Sequence, residues 1–177
     1  MNQTGTSPSP GGPILHYLAA DHRRLEGLLD AATLDASRVD AGLYAQFRTG
    51  LLRHIGMEEK ILLPAVRRAN GGKMLEQEPR LRLDHGAIGA LLVPPPLPKV
   101  IRALKKILAV HDLLEEGPGG VYELCDAIAG READEIVKKL AGMPDPPVAR
   151  GVDNPAVLDA TARALARAGY SFDDEDG

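Results

Sequence analysis

Four of the chain's five histidines, His22, His54, His85 and His111, occupy positions where helical periodicity calls for apolar side chains. His22 continues the stripe Leu15, Leu18, Leu25 and Leu29. His54 and Glu58 continue Phe47 and Leu51, with Leu62 beyond them. His85 lies between Leu81 and Ile88, and His111 with Glu115 extends Leu104 and Leu108. A buried charge without a partner costs several kcal/mol or neutralises itself, which is comparable to the whole stability of a domain. Six such groups in one core are tolerable only if they satisfy one another or a shared cation. His54 with Glu58, and His111 with Glu115, are i, i+4 pairs about 40° apart around a helix, so imidazole and carboxylate project together. Imidazole plus carboxylate, without thiolate, suits Fe, Mn or Zn.

The elements that must position these groups follow from the breaks in the pattern. A first helix is predicted from Pro13 to Leu29, and a second from about Asp40, with Pro64 kinking or ending it. Asn70-Gly71-Gly72 is a stop, and a third helix starts at about Leu75. The prolines from Pro94 to Pro98 form a rigid turn into a fourth helix seamed by Leu97, Ile101, Leu104 and Leu108. That helix breaks at Gly117-Pro118-Gly119-Gly120 and resumes from Val121 to about Ala141. No sustained period-two alternation suggests a strand. The expectation is an all-α fold, an up-down-up-down four-helix bundle with an additional C-terminal helix and frayed termini. Residues 1–12 read as a disordered lead-in, 13–142 as the bundle, and 143–177 as a linker, short helix and acidic tail. Asn154, Pro155 and Gly169 bracket that helix, Ala156–Ala168, whose Val157, Leu158 and Leu165 suit docking on the bundle or on a partner.

Loop arithmetic brings the histidines together. The midpoint between His22 and His54 is Arg38, that between His54 and His85 falls beside Asn70, and that between His85 and His111 is Pro98. Each midpoint lies in a predicted turn, so antiparallel helices of equal rise place all four imidazoles at one height. Two metals, with His22 and His54 on one, His85 and His111 on the other, and Glu58 and Glu115 bridging, satisfy this layer. There is also an internal repeat: Asp21-His22 then His54-x-x-x-Glu58-Glu59 parallels Asp84-His85 then His111-x-x-x-Glu115-Glu116. Glu59 and Glu116 turn away by about another 100° and are the poorer ligands. Asp21 and Asp84 read first as surface acids, and second as acceptors that fix an imidazole tautomer. His16 falls about 120° off its stripe and reads as solvent-facing, with a substitute-ligand role only if the first helix is distorted. Tyr122, seven residues after Glu115, reads as a core residue within reach of the site, and Cys125 as a core residue.

In this order and spacing the chain resembles the hemerythrin-like (HHE cation-binding) family, whose motif is a leading His, H-x-x-x-E, a second leading His, and H-x-x-x-E/D. His22, His54/Glu58, His85 and His111/Glu115 fill those places. The resemblance implies a four-helix bundle holding a non-haem di-iron centre with bridging carboxylates and an exchangeable position for a small molecule such as O2. Oxygen-carrying members have H-x-x-x-H on the third helix, whereas here Gly89 stands four residues after His85. Their last acid sits five residues after its histidine, a spacing that Glu116 rather than Glu115 would satisfy. Four histidines leave one metal more open, which favours a sensor of O2, NO or iron, or a site reacting with O2 or peroxide, over simple carriage. The rival expectation is a metal-stabilised or metal-free interaction module whose C-terminal helix and tail dock a partner.

Composition removes other classes. Of 177 residues, 21 are Lys or Arg and 25 Asp or Glu, a net charge of −4, which leaves no electrostatic footprint for nucleic acid or an anionic membrane. No apolar run suffices to span a bilayer, and the first residues lack the features of a signal peptide. The single Cys125 excludes an internal disulfide and fits a reducing, cytoplasmic setting. No histidine has Glu three residues before it, so the pairs of ferritin-like bundles are missing, as is His-Glu-x-x-His. The Gly117–Gly120 break lacks the Lys-Ser/Thr of a phosphate loop; it redirects the chain or admits small molecules to the site.

Overall fold

The computed structural model describes residues 11–35 and 37–172. The rest of the lead-in and the acidic run from Asp173 lie outside the described residues. Eight α-helices follow one another there, with no strand among the described residues: α1 (Pro13–Ala32), α2 (Ala41–Met57), α3 (Leu63–Ala69), α4 (Glu78–Leu91), α5 (Pro98–Glu116), α6 (Val121–Ala129), α7 (Ala133–Ala141) and α8 (Pro155–Arg167).

Two helix starts are held by carboxylates. Asp40 caps α2, its carboxylate accepting from the Gly42 and Leu43 N–H groups at 2.9 Å each. At α1 the cap is remote: the Asp126 carboxylate, on α6, accepts from the N–H groups of Ile14 and Leu15 at 3.0 Å each. A Cβ on Gly12 would lie 2.3 Å from the Asp126 carboxyl carbon, so only glycine lets that carboxylate approach.

α2 ends at Met57, and Pro64 lies in the first turn of α3. Between α2 and α3 the chain widens into a π-turn over Glu58–Leu62, and the Leu63 N–H reaches back five residues to the Glu58 carbonyl. Proline has no N–H to return to the residue four before it, and the wider turn accommodates that loss. The segment expected to run from Val121 to about Ala141 is instead two helices. Gly130 adopts φ +51°, a left-handed conformation that stops α6, and a 3-10 turn over Gly130–Glu132 leads into α7.

Two apolar clusters form the core. One gathers Leu25, Leu29, Phe47, Leu51, Ile88 and Leu104. The other gathers Ile14, Leu18, Met57, Leu81, Tyr122 and Ile136. Each buried histidine marks the border: His22 lies between Leu18 and Leu25, His54 between Leu51 and Met57, His85 between Leu81 and Ile88, and His111 between Leu108 and Leu114. The polar layer therefore divides the hydrophobic interior.

α8 packs on α4 of its own chain. Leu165 and Ala168 are buried, Leu158 packs beside them, Val157 is half-buried, and the Thr161 hydroxyl donates to the Ala90 carbonyl at 3.1 Å. Cys125 is a free, buried thiol in the second cluster, and burial pushes its pKa up. Among the described residues no helix is long and apolar enough to cross a membrane.

Candidate metal centre

α1, α2 with its π-turn, α4 and α5 bring all six predicted side chains into one buried layer. His22, His54, Glu58, His85, His111 and Glu115 are each at most 8% exposed. One potential ligand atom from each of Glu58, His85, His111 and Glu115 lies within 4.8 Å of the others, and so do atoms of His22, His54 and Glu115. Nε2 of His22 and Nε2 of His54 are 2.8 Å apart. Glu58 reaches both halves, with Oε1 3.7 Å from His54 Nε2 and Oε2 3.1 Å from His85 Nε2. Glu115 does the same, with Oε2 3.4 Å from His22 Nε2 and Oε1 3.2 Å from His111 Nε2. His16 stands apart: it is exposed, and its Nδ1 meets the Gly12 carbonyl at 2.8 Å.

Three of the four outer nitrogens are hydrogen-bonded to a carboxylate. His22 Nδ1 is 2.5 Å from Glu116, His54 Nδ1 is 2.9 Å from Asp21, and His85 Nδ1 is 2.9 Å from Glu59. His111 Nδ1 faces Asp84 at 3.5 Å. Each acid neighbours one of the six inward groups in sequence, and the roughly 100° that carries it off that face aims it at the adjacent helix. The acid on α1 holds the imidazole on α2, Glu59 that on α4, the acid on α4 faces α5, and the acid on α5 holds α1. The ring is closed. Asp21 and Asp84 are therefore not surface acids, and Glu59 and Glu116 act on imidazoles rather than turning to solvent. A carboxylate on Nδ1–H leaves the Nε2 lone pair facing inward, the tautomer a metal ligand needs.

Tyr122 adds a group whose position the helical period did not settle. Its fully buried hydroxyl donates to Glu58 Oε1 at 2.6 Å and lies 3.0 Å from Glu115 Oε2. The same oxygen is 3.2 Å from His54 Nε2 and 3.3 Å from His22 Nε2. The break at Gly117–Gly120 is what delivers it: a Cβ on Gly120 would lie 2.6 Å from the Glu115 carbonyl oxygen, so the chain turns tightly there and α6 returns across the layer.

The electrostatics are those of a crowded site. Burial alone would lower His22, but the Glu116 bond and the Glu115, Asp112 and Glu58 carboxylates raise it to about 9. Burial would likewise lower His111, yet Glu115 and Asp84 raise it to about 11. Burial favours a neutral Glu58, but His54 and His85 hold its pKa well below the ordinary carboxylate value. Glu115 is pushed up by burial and by the Glu58 charge, and Tyr122 by burial and both glutamates.

A cation fits this donor set. Among the described residues Glu58 Oε2, His85 Nε2 and Glu115 Oε1 are buried in ion-pair contacts of 3.1–3.2 Å but make no hydrogen bond, and buried polar atoms left so are costly. All three face the middle of the layer, and the imidazole and carboxylate donors suit a borderline or hard metal.

The family profile described as Hemerythrin HHE cation binding domain matches residues 14–129. No curated protein and no solved structure gives a significant match. The matched span covers α1 to α6 and contains every residue of the layer, and the chain belongs to this family of cation-binding domains.

Proposed function

We propose that this hemerythrin-type cation-binding domain is a non-haem di-iron protein that binds or reacts with a small molecule, O2, NO or peroxide, as a sensor or detoxifier rather than a simple carrier. One observation carries the reading: buried ligand atoms that make no hydrogen bond among the described residues converge in one layer while carboxylates engage or face every outer imidazole nitrogen. His22 and His54 would hold one metal and His85 and His111 the other, with Glu58 and Glu115 between them. The reach of both glutamates into both halves supports this division. Manganese and zinc are the other metals that this donor set suits.

Bound iron would supply a redox-active pair with a position open to exchange. The chain's own residues do the rest. The outer carboxylates fix the direction of each imidazole, and Tyr122 offers a hydroxyl proton to the two buried glutamates. α4 carries Gly89 where a second imidazole of that helix would stand, which supports the more open metal.

The alternation of the two apolar clusters along the chain supports an up-down-up-down bundle. α1 passes from the cluster of Leu18 to that of Leu25, α2 returns, and α4 passes across again. In this reading 13–142 is the metal-holding unit, 143–177 is an appendage to it, and the lone thiol suits the cytoplasm. α8 already spends its apolar face on α4, which weighs against the docking-module alternative.

Iron analysis of the purified protein beside His54→Ala and His111→Ala tests the assignment. Iron should fall in both variants, and undiminished metal in both overturns it. Anaerobic and aerobic spectra, with NO or peroxide added, then separate sensing from turnover, which alone consumes a reductant or evolves oxygen.

A further inference from the structure

The histidine layer forms the floor of a chamber. A cavity of about 150 Å³ opens between α1, α2, α4 and α5, with His22, His54 and His111 among its lining residues. Its walls are hydrocarbon: Leu29, Phe47, Leu51 and Ile88 line it, and each is at most 3% exposed. Among the charged lining residues Glu26, Asp30 and Lys105 are exposed at the rim, while half-buried Asp112 lies 3.9 Å from His22 Nδ1, so charge sits at the rim and at the histidine floor but not on the walls between. There the Lys105 ammonium meets Asp30 at 2.7 Å and links α5 to α1. Both partners are substantially exposed, and an ion pair of that kind is weak enough to part for an entering molecule.

Size decides what the chamber suits. One water needs roughly 10–15 Å³ of such volume, so this space is about ten times larger and a diatomic would leave most of it unfilled. Apolar cavities of about 150 Å³ lined by Leu, Ile and Phe take up benzene or xenon. A charged occupant would find no partner between the rim and the histidines.

We infer that this chamber binds a small uncharged apolar molecule of benzene size, a simple aromatic or cyclic hydrocarbon, directly beside the metal layer. The chamber itself stands without the di-iron reading; only the occupant's nearness to a metal rests on that reading. Such a molecule would be held within reach of whatever the centre activates, which extends the site from diatomic ligands to a carbon compound.

Fluorobenzene and the full-length protein provide the test, with metal content measured on each sample. The 19F resonance should titrate to saturation at one site per chain in zinc-loaded protein, and broaden strongly in the iron-loaded form. Ala109→Phe, at the exposed mouth, and Leu51→Phe, in the wall, should each weaken binding at least tenfold. Absence of saturable binding in protein of normal metal content overturns the inference, as does unchanged affinity in a folded Ala109→Phe variant. Saturable binding without broadening by bound iron overturns the placement beside the metals. If the protein takes up no metal yet binds fluorobenzene and loses it on Ala109→Phe, the chamber stands and the di-iron reading falls.

Discussion

Replacing Tyr122 by Phe removes one oxygen and leaves the ring in its apolar cluster, so the change isolates the hydroxyl. That oxygen is buried, 2.6 Å from Glu58 Oε1 and 3.0 Å from Glu115 Oε2. A hydrogen bond to a charged group contributes about 1.5–3 kcal/mol, and here no solvent replaces it. For a chain of this size 1 kcal/mol corresponds to about 2–4 °C, so chelator-stripped Tyr122→Phe should melt about 3–12 °C below the stripped wild type. With metal restored, Glu58 and Glu115 have a cation as partner, and the loss should shrink. Calorimetric melting of both proteins, stripped and loaded, reads the four values. A loss in the loaded protein equal to or greater than that in the stripped one would refute the argument that hydroxyl and cation serve the same oxygens.

Asp21→Ala takes the partner from His54 Nδ1 and should lower metal affinity about 10–100-fold without touching a proposed ligand, measurable by competition with a chromophoric chelator. Asp126→Ala deletes the cap on α1 and should cost about 0.5–2 kcal/mol in urea unfolding while metal content stays unchanged. His22 and His111 are raised from 6.5 to about 9 and about 11 in the folded protein, so their contribution to stability is complete below about pH 6.5 and is lost as pH climbs through those two values. Urea unfolding of the stripped protein should therefore show falling stability from about pH 7 upward, whereas metal affinity should rise over the same range because binding displaces protons from imidazole. A flat stability profile would contradict the ion pairs around these two histidines.

The six inward side chains were legible because each is an ionisable residue on an apolar stripe, and because equal spacing about three turns fixes a common height. The outer acids were visible as a repeat, Asp-His and Glu-Glu in each half, but their task was not. Whether a side chain about 100° off the inward face meets water or another helix depends on which helix stands beside it, and periodicity along one helix holds no such information. For Tyr122 the sequence offers both a core place and reach to the site, and it does not settle the contacts, for a related reason. A seven-residue step is meaningful only within one helix, and the glycine turn at Gly117–Gly120 lies between Glu115 and Tyr122. Pro64 was read from the cost of a missing N–H, while the π-turn before it is one of several ways of absorbing that cost. Gly130 divides the expected long helix because nothing in the hydrophobic spacing reports a positive φ.

The ring of acids and imidazoles has a sense of circulation. Asp21 points from α1 toward α2, and Glu116 from α5 toward α1. Were the same four helices arranged with the opposite hand, every one of these carboxylates would face away from its imidazole. Loops and greasy stripes alone permit either enantiomeric arrangement of neighbours; the acids do not. They make the protein's winding direction a condition for assembling its centre, so a wrongly wound chain would be unable to load metal.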